Sequence, residues 1–212
     1  MRNRIQRMHF RGRVYNFILK CWLEFWGLPD PWVYQEAARL ASVREGDKVL
    51  DVGCGTGFLA IIFKKMVGER GDVKGIDPAP KRLEKARRRA KRERLAIDFR
   101  EGTIENIPFA DGSFDVVSST FVFHHLSMAL KKEGLREIQR VLKPEGRFLL
   151  VDFDRILNPL VGLLAWLAYP FDEGIRLQIR GGLLQFLEKE GFSETKVVKR
   201  RAGAISFIQL RK

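Results

Sequence analysis

A glycine loop near residue 50 has the residue types and spacing of a binding site for a small anionic group. It reads VLDVGCGTGFLA over residues 49–60, with Gly53, Gly55 and Gly57 at alternate positions after an acid at Asp51. Glycines allow sharp turns and let a ligand approach the main chain without a Cβ in the way. A helix that begins behind the loop would offer free N–H groups and a positive dipole end. The pattern therefore predicts a site for a carboxylate or a phosphate.

A second acid narrows the class of ligand. Asp77 ends a short apolar run in the segment GIDPAP, at the distance expected for a carboxylate that hydrogen-bonds ribose hydroxyls. The dinucleotide pattern G-x-G-x-x-G fails because its last position would be Phe58, and the chain has no Gly-Lys-Ser/Thr of a P-loop. The predicted ligand is a nucleoside with an anionic or zwitterionic tail. The alternative is a plain turn between a strand and a helix.

The elements that position these residues alternate between strand and helix. The predicted strands cover residues 48–52, 73–76, 97–100, 114–118 and 146–153, and the predicted helices between them cover 58–67, 81–94 and 129–142. Such alternation favours a mostly parallel sheet with helices on both faces. Ligands of such sheets lie at the carboxyl ends of the strands, where both the glycine loop and Asp77 are expected.

The two ends of the chain follow other patterns. Amphipathic helices are predicted over residues 1–26 and 32–41, and an apolar segment over 156–170 precedes a helix at 183–190. Strands over 195–198 and 204–209 suit an antiparallel hairpin. We interpret residues 1–212 as one domain. Its parts are a helical cap (1–44), a core (45–155), a lid with one helix (156–192) and a closing hairpin (193–212).

Four blocks in fixed order give the chain a family resemblance. VLDVGCGTG, GIDPAP, EGTIENIPFADGSFDVVSS and LKPEGRFLLVDF lie within residues 45–155. In this order they resemble the class I S-adenosylmethionine (SAM)-dependent methyltransferases, most closely the ubiquinone/menaquinone-type small-molecule branch. The resemblance implies a Rossmann-like, doubly wound α/β fold. Its seven-stranded sheet is mostly parallel with an antiparallel last strand, and N-terminal helices and a helical insert form a lid.

The resemblance also implies SAM as the cofactor and assigns residues to it. The residues assigned to its methionine end are Asp51, Gly53, Cys54, Gly55 and Gly57. Asp77 would bind both ribose hydroxyls, and Pro78 would flank the adenine. Thr103 stands where this branch often has an Asp that accepts from the adenine amino group, and the N–H of Ile104 would donate to the adenine. The residues assigned to the sulfonium and its methyl group are Ser119, Thr120 and Phe121.

Methyl transfer from a sulfonium needs alignment more than acid–base chemistry. A base is required only where the acceptor loses a proton. The candidates are His124 and His125 in FVFHHL, which could instead shape the pocket wall or cap the next helix. Asp152 and Asp154 either orient an acceptor or are solvated carboxylates. The sequence has no dense Asp/Glu/His cluster, so we expect no metal site.

Apolar segments predict the chemistry of the methyl acceptor. The insert 156–170 and the aromatic residues Trp22, Phe25 and Trp26 could roof a cavity for a lipid-like molecule, or they could simply pack on the domain. The block after the fourth strand reads Ser-Thr-Phe-Val over 119–122, unlike the Asn/Asp-Pro-Pro-Tyr/Phe block common in nucleic-acid amino-methylating enzymes. This argues against methylation of base amino groups.

The net charge of the chain does not identify its binding partner. The net charge of +13 and the pI near 10.1 imply attraction to nucleic acid, an acidic lipid surface or an anionic substrate. The basic run 81–94 is either a solvated face or a footprint for such a partner. The main hypothesis is therefore a SAM-dependent methyltransferase for a small or lipid-like acceptor, working at an anionic membrane surface. The alternatives are an RNA methyltransferase and a non-catalytic SAM-binding protein.

Cysteine usage predicts the compartment. Cys21 and Cys54 are the only cysteines, which gives neither a disulfide framework nor zinc-like spacing. The first apolar stretch carries Lys20 and Glu24, unlike a secretory signal. We expect a cytoplasmic protein, peripheral to the inner face of the membrane. Scarce Asn, Gln and Cys beside abundant Lys, Arg and Glu are typical of thermophilic proteins.

Overall fold

The computed structural model of the chain describes residues 31–154, 181–201 and 205–212. The predicted helix over 1–26, the apolar insert 156–170 and the residues Trp22, Phe25 and Trp26 lie outside these ranges. The chain divides into two units, residues 1–33 and 34–212, and almost all described residues belong to the second. The helical cap and the lid therefore stay predictions.

Seven strands form one sheet. They are β1 (Lys48–Val52), β2 (Asp72–Asp77), β3 (Asp98–Glu101), β4 (Phe114–Thr120), β5 (Leu142–Phe153), β6 (Glu194–Arg201) and β7 (Ile205–Arg211). Their order across the sheet is β3-β2-β1-β4-β5-β7-β6. The first five strands pair in parallel, and β7 pairs antiparallel with both β5 and β6. The predicted fold class and the closing hairpin are confirmed.

Helices connect the parallel strands. The helices are α1 (Pro31–Leu40), α2 (Phe58–Val67), α3 (Pro80–Arg92), α4 (Met128–Val141) and α5 (Leu183–Glu188), and a short 3₁₀ turn covers Phe123–His125. None of the helices in these described ranges is long and apolar enough to cross a bilayer. Since parallel crossovers are right-handed, α2 and α3 lie on one face of the sheet and α4 lies on the other.

The core lies where the central strands meet the helices. Leu50 on β1, Val117 on β4 and Leu150 on β5 are fully buried, and each belongs to one large cluster of apolar side chains. Around these residues each strand has a buried apolar segment, as expected where a strand is covered on both faces. On α3 the buried residues are Leu83, Ala86 and Ala90.

The strand order creates a switch point between β1 and β4. Connections run from β1 towards β2 and β3, but from β4 towards β5, so the chain diverges there. The register pairs Asp51 with both Gly75 and Ser118, and pairs Val52 with Ser119. The carboxyl ends of β1, β2 and β4 thus lie side by side, and ligands of open α/β sheets bind at such a crevice.

Candidate functional site

The glycine loop leaves β1 in left-handed backbone conformations that favour glycine. The φ angles of Gly53, Gly55 and Gly57 are 74°, 54° and 77°. The N–H groups of Gly53 and Cys54 donate to the carbonyl of Ile76 at 2.8 and 2.9 Å, which anchors the loop to β2. The loop is therefore held rigidly at the switch point.

Close packing requires glycine at two of the three positions. A Cβ on Gly53 would lie 2.2 Å from Cγ2 of Val122, and one on Gly57 would lie 2.9 Å from Cβ of Ala86. At Gly55, by contrast, a Cβ would meet no described atom within 4 Å. The main chain at Gly55 is thus bare on that side, as a ligand that approaches the backbone requires.

Asp77 lies opposite the bare main chain of the loop. Its Oδ2 accepts from the N–H of Gly55 at 3.0 Å, and its Oδ1 accepts from the N–H of Ala79 at 2.9 Å. The residue is only 2% exposed. Each carboxylate oxygen can accept a second hydrogen bond, so two acceptor positions suit a vicinal diol. Pro78, the next residue, is exposed at the end of β2, where the sequence places the adenine.

Asp51 is a buried acid at the end of β1. Its Oδ1 accepts from the Ser118 hydroxyl at 3.0 Å, and the residue is 2% exposed. Burial raises the pKa of Asp51 to about 7. The hydrogen bond from Ser118 opposes the rise, while the negative charge of Asp77 adds to it. Asp51 therefore changes its charge near neutral pH, which the sequence does not indicate.

Cys54 faces the protein rather than a ligand. Its side chain is buried, and a Cβ on Gly75 would lie 2.9 Å from its Sγ. Burial and the nearby charges of Asp51 and Asp77 raise the pKa of the thiol well above its usual range. Since the thiolate is the reactive form, Cys54 is no nucleophile, and only its main chain can line a cofactor pocket.

The predicted adenine contacts lie just after β3. Thr103 is half-buried and forms an isolated bridge with Asn106. Ile104 is 4% exposed, and its side chain packs against Gly134 of α4. Only the main chain of Ile104 can therefore meet a ligand, in agreement with the predicted role of its N–H.

Two buried hydroxyls at the end of β4 lack partners. Ser119 Oγ and Thr120 Oγ1 make no hydrogen bond to any described residue. Phe121, which follows, has a φ of 58°, an uncommon and strained conformation for a bulky residue. Unsatisfied buried hydroxyls and backbone strain both cost free energy, and they cluster where a ligand binds. Together with the bare Gly55 and the acceptor positions of Asp77, they fit a nucleoside with a polar tail.

The two histidines differ in their surroundings. Nδ1 of His124 lies 2.8 Å from Oδ1 of Asp152, and the His124 side chain is 11% exposed. His125 is exposed as a residue, but its ring lies against that of His124, tilted by 46° with the centroids 3.8 Å apart. Both belong to the 3₁₀ turn that follows β4, beside the carboxyl end of β5.

The acids at the end of β5 are not solvated carboxylates, so that interpretation is wrong. Asp152 is fully buried and Asp154 is 2% exposed. Asp154 accepts from the Ser206 hydroxyl at 3.1 Å and lies 3.6 Å from the guanidinium of Arg200. The sequence alone does not show this burial, because it depends on β7, which pairs with this end of β5 and places Ser206 opposite Asp152. Among the described residues, no three His, Cys, Asp or Glu side chains are grouped to hold a metal.

Comparisons with known proteins point to methyltransferases. Residues 49–146 match the family model described as methyltransferase domain. The ubiquinone/menaquinone biosynthesis C-methyltransferase of Azotobacter vinelandii is 37% identical over 125 residues, which are 58% of this chain and 49% of that protein. The demethylmenaquinone methyltransferase of Lactobacillus johnsonii is 36% identical over 129 residues, 60% of this chain and 52% of that protein. The chain thus spans about half the length of these relatives.

Solved structures show the same fold. A SAM-dependent methyltransferase from Aquifex aeolicus superposes with a TM-score of 0.68 at 23% identity, over 86% of this chain and 89% of that one. The YcgJ protein from Bacillus subtilis superposes with a TM-score of 0.58 at 23% identity, over 84% of this chain and 97% of that one. At this identity the likeness establishes the fold alone.

Proposed function

Residues 49–146 form the core of a class I SAM-dependent methyltransferase domain, and from this premise we propose that the protein methylates a small, lipid-like acceptor of the quinone type. The observation that carries the proposal is the bare main chain of Gly55 opposite the buried carboxylate of Asp77, at the switch point of the sheet. When bound there, SAM supplies a methyl group that is already activated by a sulfonium.

The chain's own residues hold and align that cofactor. In our proposal, Asp77 accepts from the two ribose hydroxyls, and the glycine loop and Asp51 take the zwitterionic methionine end. The hydroxyls of Ser119 and Thr120 line the methyl-bearing end. Their lack of described partners supports this placement, because a polar ligand would satisfy them.

The acceptor side of the site is apolar. Phe121 directly follows β4 and Phe153 ends β5, and the centroids of their rings lie 5.5 Å apart. The rings of Phe153 and His124 make an edge contact at 5.0 Å. An apolar wall with few polar groups suits a prenylated aromatic ring. The names of the relatives support this class of acceptor, and the predicted lid over 156–170 would complete the cavity.

The direct test is methyl transfer by the purified chain. The protein is incubated with labelled SAM and a reduced demethylmenaquinone with a short prenyl tail, and separately with RNA. We expect label in the quinone, identified by mass spectrometry as the methylated product. Label in RNA would support the RNA alternative. Tight SAM binding without transfer to either would support a non-catalytic SAM-binding protein.

The ionisation of Asp51 predicts a pH dependence of SAM binding. Because the pKa of Asp51 in the folded protein is raised above its usual 3.8, its contribution to stability is present below pH 3.8 and is lost as the pH rises through about 7. A ligand ammonium would favour the charged form. We expect SAM affinity to increase between about pH 5 and pH 7, by at most about tenfold per pH unit. The groups that act on Asp51 are the Ser118 hydroxyl, the backbone N–H of Ala60 and the carboxylate of Asp77.

Calorimetric titrations across that pH range test this prediction. Asp51→Asn should flatten the pH dependence of SAM affinity and remove the loss of stability of the free protein between about pH 4 and pH 7. An Asn variant with the wild-type slope would show that another group governs the binding.

We propose that the protein takes its acceptor from an anionic membrane surface. A basic face on α3 supports this proposal. Lys85, Arg88, Lys91 and Arg92 are exposed and line a shallow depression. Beside it Phe58 is 40% exposed, and the guanidinium carbon of Arg89 lies 3.8 Å from the centroid of its ring. Basic side chains next to an exposed aromatic ring match the interface of acidic lipid bilayers.

Vesicle co-sedimentation tests the membrane contact. We expect binding to phosphatidylglycerol vesicles that falls with added salt, and weak binding to phosphatidylcholine vesicles. The double variant Lys85→Ala/Arg92→Ala should bind several-fold more weakly. The matched control Lys132→Ala/Arg136→Ala removes the same charge from exposed positions on α4, on the other face of the sheet. Equal losses in both pairs, or tighter binding to RNA than to vesicles, would contradict the proposal.

A further inference from the structure

His124 and Asp152 form a buried pair at the carboxyl edge of the sheet. His124 lies on the 3₁₀ turn after β4 and Asp152 lies on β5, the neighbouring strand. Nδ1 and Oδ1 are 2.8 Å apart, and the backbone N–H of His124 also donates to Oδ2 of Asp152 at 3.3 Å. Two contacts to one carboxylate fix both the turn and the orientation of the ring.

Asp152 determines which ring nitrogen carries the proton. Its Oδ1 also accepts from the backbone N–H of Phe153 at 2.7 Å, so this carboxylate acts throughout as an acceptor. Because the Asp152 oxygens act as acceptors in these contacts, we assign Nδ1 of the neutral His124 ring as the donor to Oδ1. Nε2 is then the unprotonated nitrogen, and it has no hydrogen bond to any described residue. This arrangement presents a proton acceptor on the side of the ring away from Asp152.

His125 lacks such an arrangement. No described carboxylate bonds to its ring. Partial burial of the ring and the presence of the second imidazole of His124 lower the pKa of His125 to about 4, with Arg82 adding to the effect and Asp152 opposing it. A group with so low a pKa is a weak base near neutral pH. Between the two candidates, the geometry thus selects His124.

The position of His124 places it beside the predicted methyl-bearing end. Its ring contacts Phe153, which contacts Phe121, the residue that follows the two partnerless hydroxyls of Ser119 and Thr120. The register pairs Thr120 with Val151, one residue before Asp152. The acid–base pair and the predicted cofactor contacts therefore share one edge of the sheet.

We infer that His124 is the general base of the proposed methyl transfer and that Asp152 is its positioning residue. The acceptor is then a ring hydroxyl, or a ring carbon activated by a hydroxyl, which loses a proton when it is methylated. An amine acceptor with a free lone pair, or a thioether, would need no such base. This inference rests on the proposed function and names the acceptor chemistry of that same site.

The step balances without any further reagent. The nucleophilic carbon or oxygen of the acceptor forms a bond to the methyl group while the sulfur–methyl bond breaks and its electron pair stays on sulfur. The proton of the acceptor passes to Nε2 of His124. The imidazolium that forms is stabilised by the negative charge of Asp152 and later releases its proton to water.

Nitrogen-15 NMR of histidine-labelled protein tests the pair without turnover. For neutral His124 we expect the proton on Nδ1, and we expect Asp152→Asn to abolish this preference. The titratable groups that face the ring among the described residues are Asp152 from β5 and His125 from the same turn. The chain has three histidines, so the His124→Gln and His125→Gln variants are both recorded to assign the signals. A proton on Nε2 in the wild type, or an unchanged tautomer in Asp152→Asn, overturns the inference.

Kinetics with the reduced short-chain demethylmenaquinone and with a simple catechol test the base itself. His124→Gln should lower kcat by about 10²- to 10⁴-fold with little change in KM. Asp152→Asn should lower kcat less than His124→Gln. His125→Gln should lower it at least about tenfold less than His124→Gln does.

The failures of the two proposals are distinguishable. If the wild type methylates either acceptor and folded His124→Gln keeps more than about a third of its kcat, the inference fails while the proposed function stands. If the SAM-bound wild type methylates neither acceptor, the proposed function fails and this inference fails with it. Circular dichroism and SAM titration of each variant establish that it is folded and loaded.

Discussion

Asp77→Asn weakens SAM binding by about 10- to 1000-fold, the largest loss expected from any single substitution in the site. In our proposal each oxygen of the wild-type carboxylate accepts one backbone N–H and one ribose hydroxyl. Asn keeps one acceptor oxygen and replaces the other with an NH₂ donor, which faces the N–H of Gly55 or Ala79. The substitution therefore removes charge-assisted hydrogen bonds to the ligand and also loosens the loop. Isothermal titration calorimetry with SAM measures the effect.

Asp72→Asn is the matched control for this substitution. Asp72 begins β2 and Asp77 ends it, so the two acids lie at opposite edges of the sheet on the same strand. Asp72 is partly exposed and pairs with Lys74 at 3.1 Å. We expect its SAM affinity to stay within about twofold of wild type, because an exposed ion pair contributes little. Wild-type affinity in Asp77→Asn would mean that the ribose is held elsewhere.

Gly55→Ala weakens SAM binding by about tenfold or more while the protein stays folded. A Cβ at this position meets no described atom within 4 Å, so the fold has room for it. The added methyl instead occupies the side of the main chain that the methionine end is proposed to approach. The φ of 54° adds a strain of about 1–2 kcal/mol, which lowers the free energy of unfolding.

Gly112→Ala is the matched control for Gly55→Ala, because it adds the same backbone strain at a position away from the proposed ligand. Gly112 has a φ of 60° and lies between β3 and β4, and a Cβ there also meets no described atom within 4 Å. Thermal denaturation should show similar destabilisation of both variants, and calorimetry should show weaker SAM binding only in Gly55→Ala. If both variants bind like the wild type, the methionine end does not pass over Gly55.

Within the described residues, local pattern was sufficient to predict the helices and strands of the sheet. β1 and α2 begin and end at the predicted residues, because an apolar run ends in an acid and glycines separate it from the next helix. The differences are at ends that depend on neighbours. α3 ends at Arg92 instead of residue 94, where Arg94 adopts a left-handed φ of 57°. β5 begins at Leu142 instead of 146, because pairing with Phe114 on β4 extends it.

The site could be predicted only where its residues are close in sequence or belong to the four blocks. The glycine loop and Asp77 are of this kind, and they lie together at the carboxyl edge as expected. The pairing of His124 with Asp152 depends on the register of β4 against β5, which no local pattern encodes. The raised pKa of Asp51 depends on its burial between two neighbouring strands, and local sequence does not show this burial either.

The contact between Gly53 and Val122 ties two halves of the site together. The loop that is proposed to hold the cofactor packs against the residue just before the turn that carries His124. Substitutions on the two sides of this contact will show epistasis, so their effects in a double-mutant cycle will not sum. Variants of the turn that are designed to change acceptor preference should therefore keep the glycine loop unchanged.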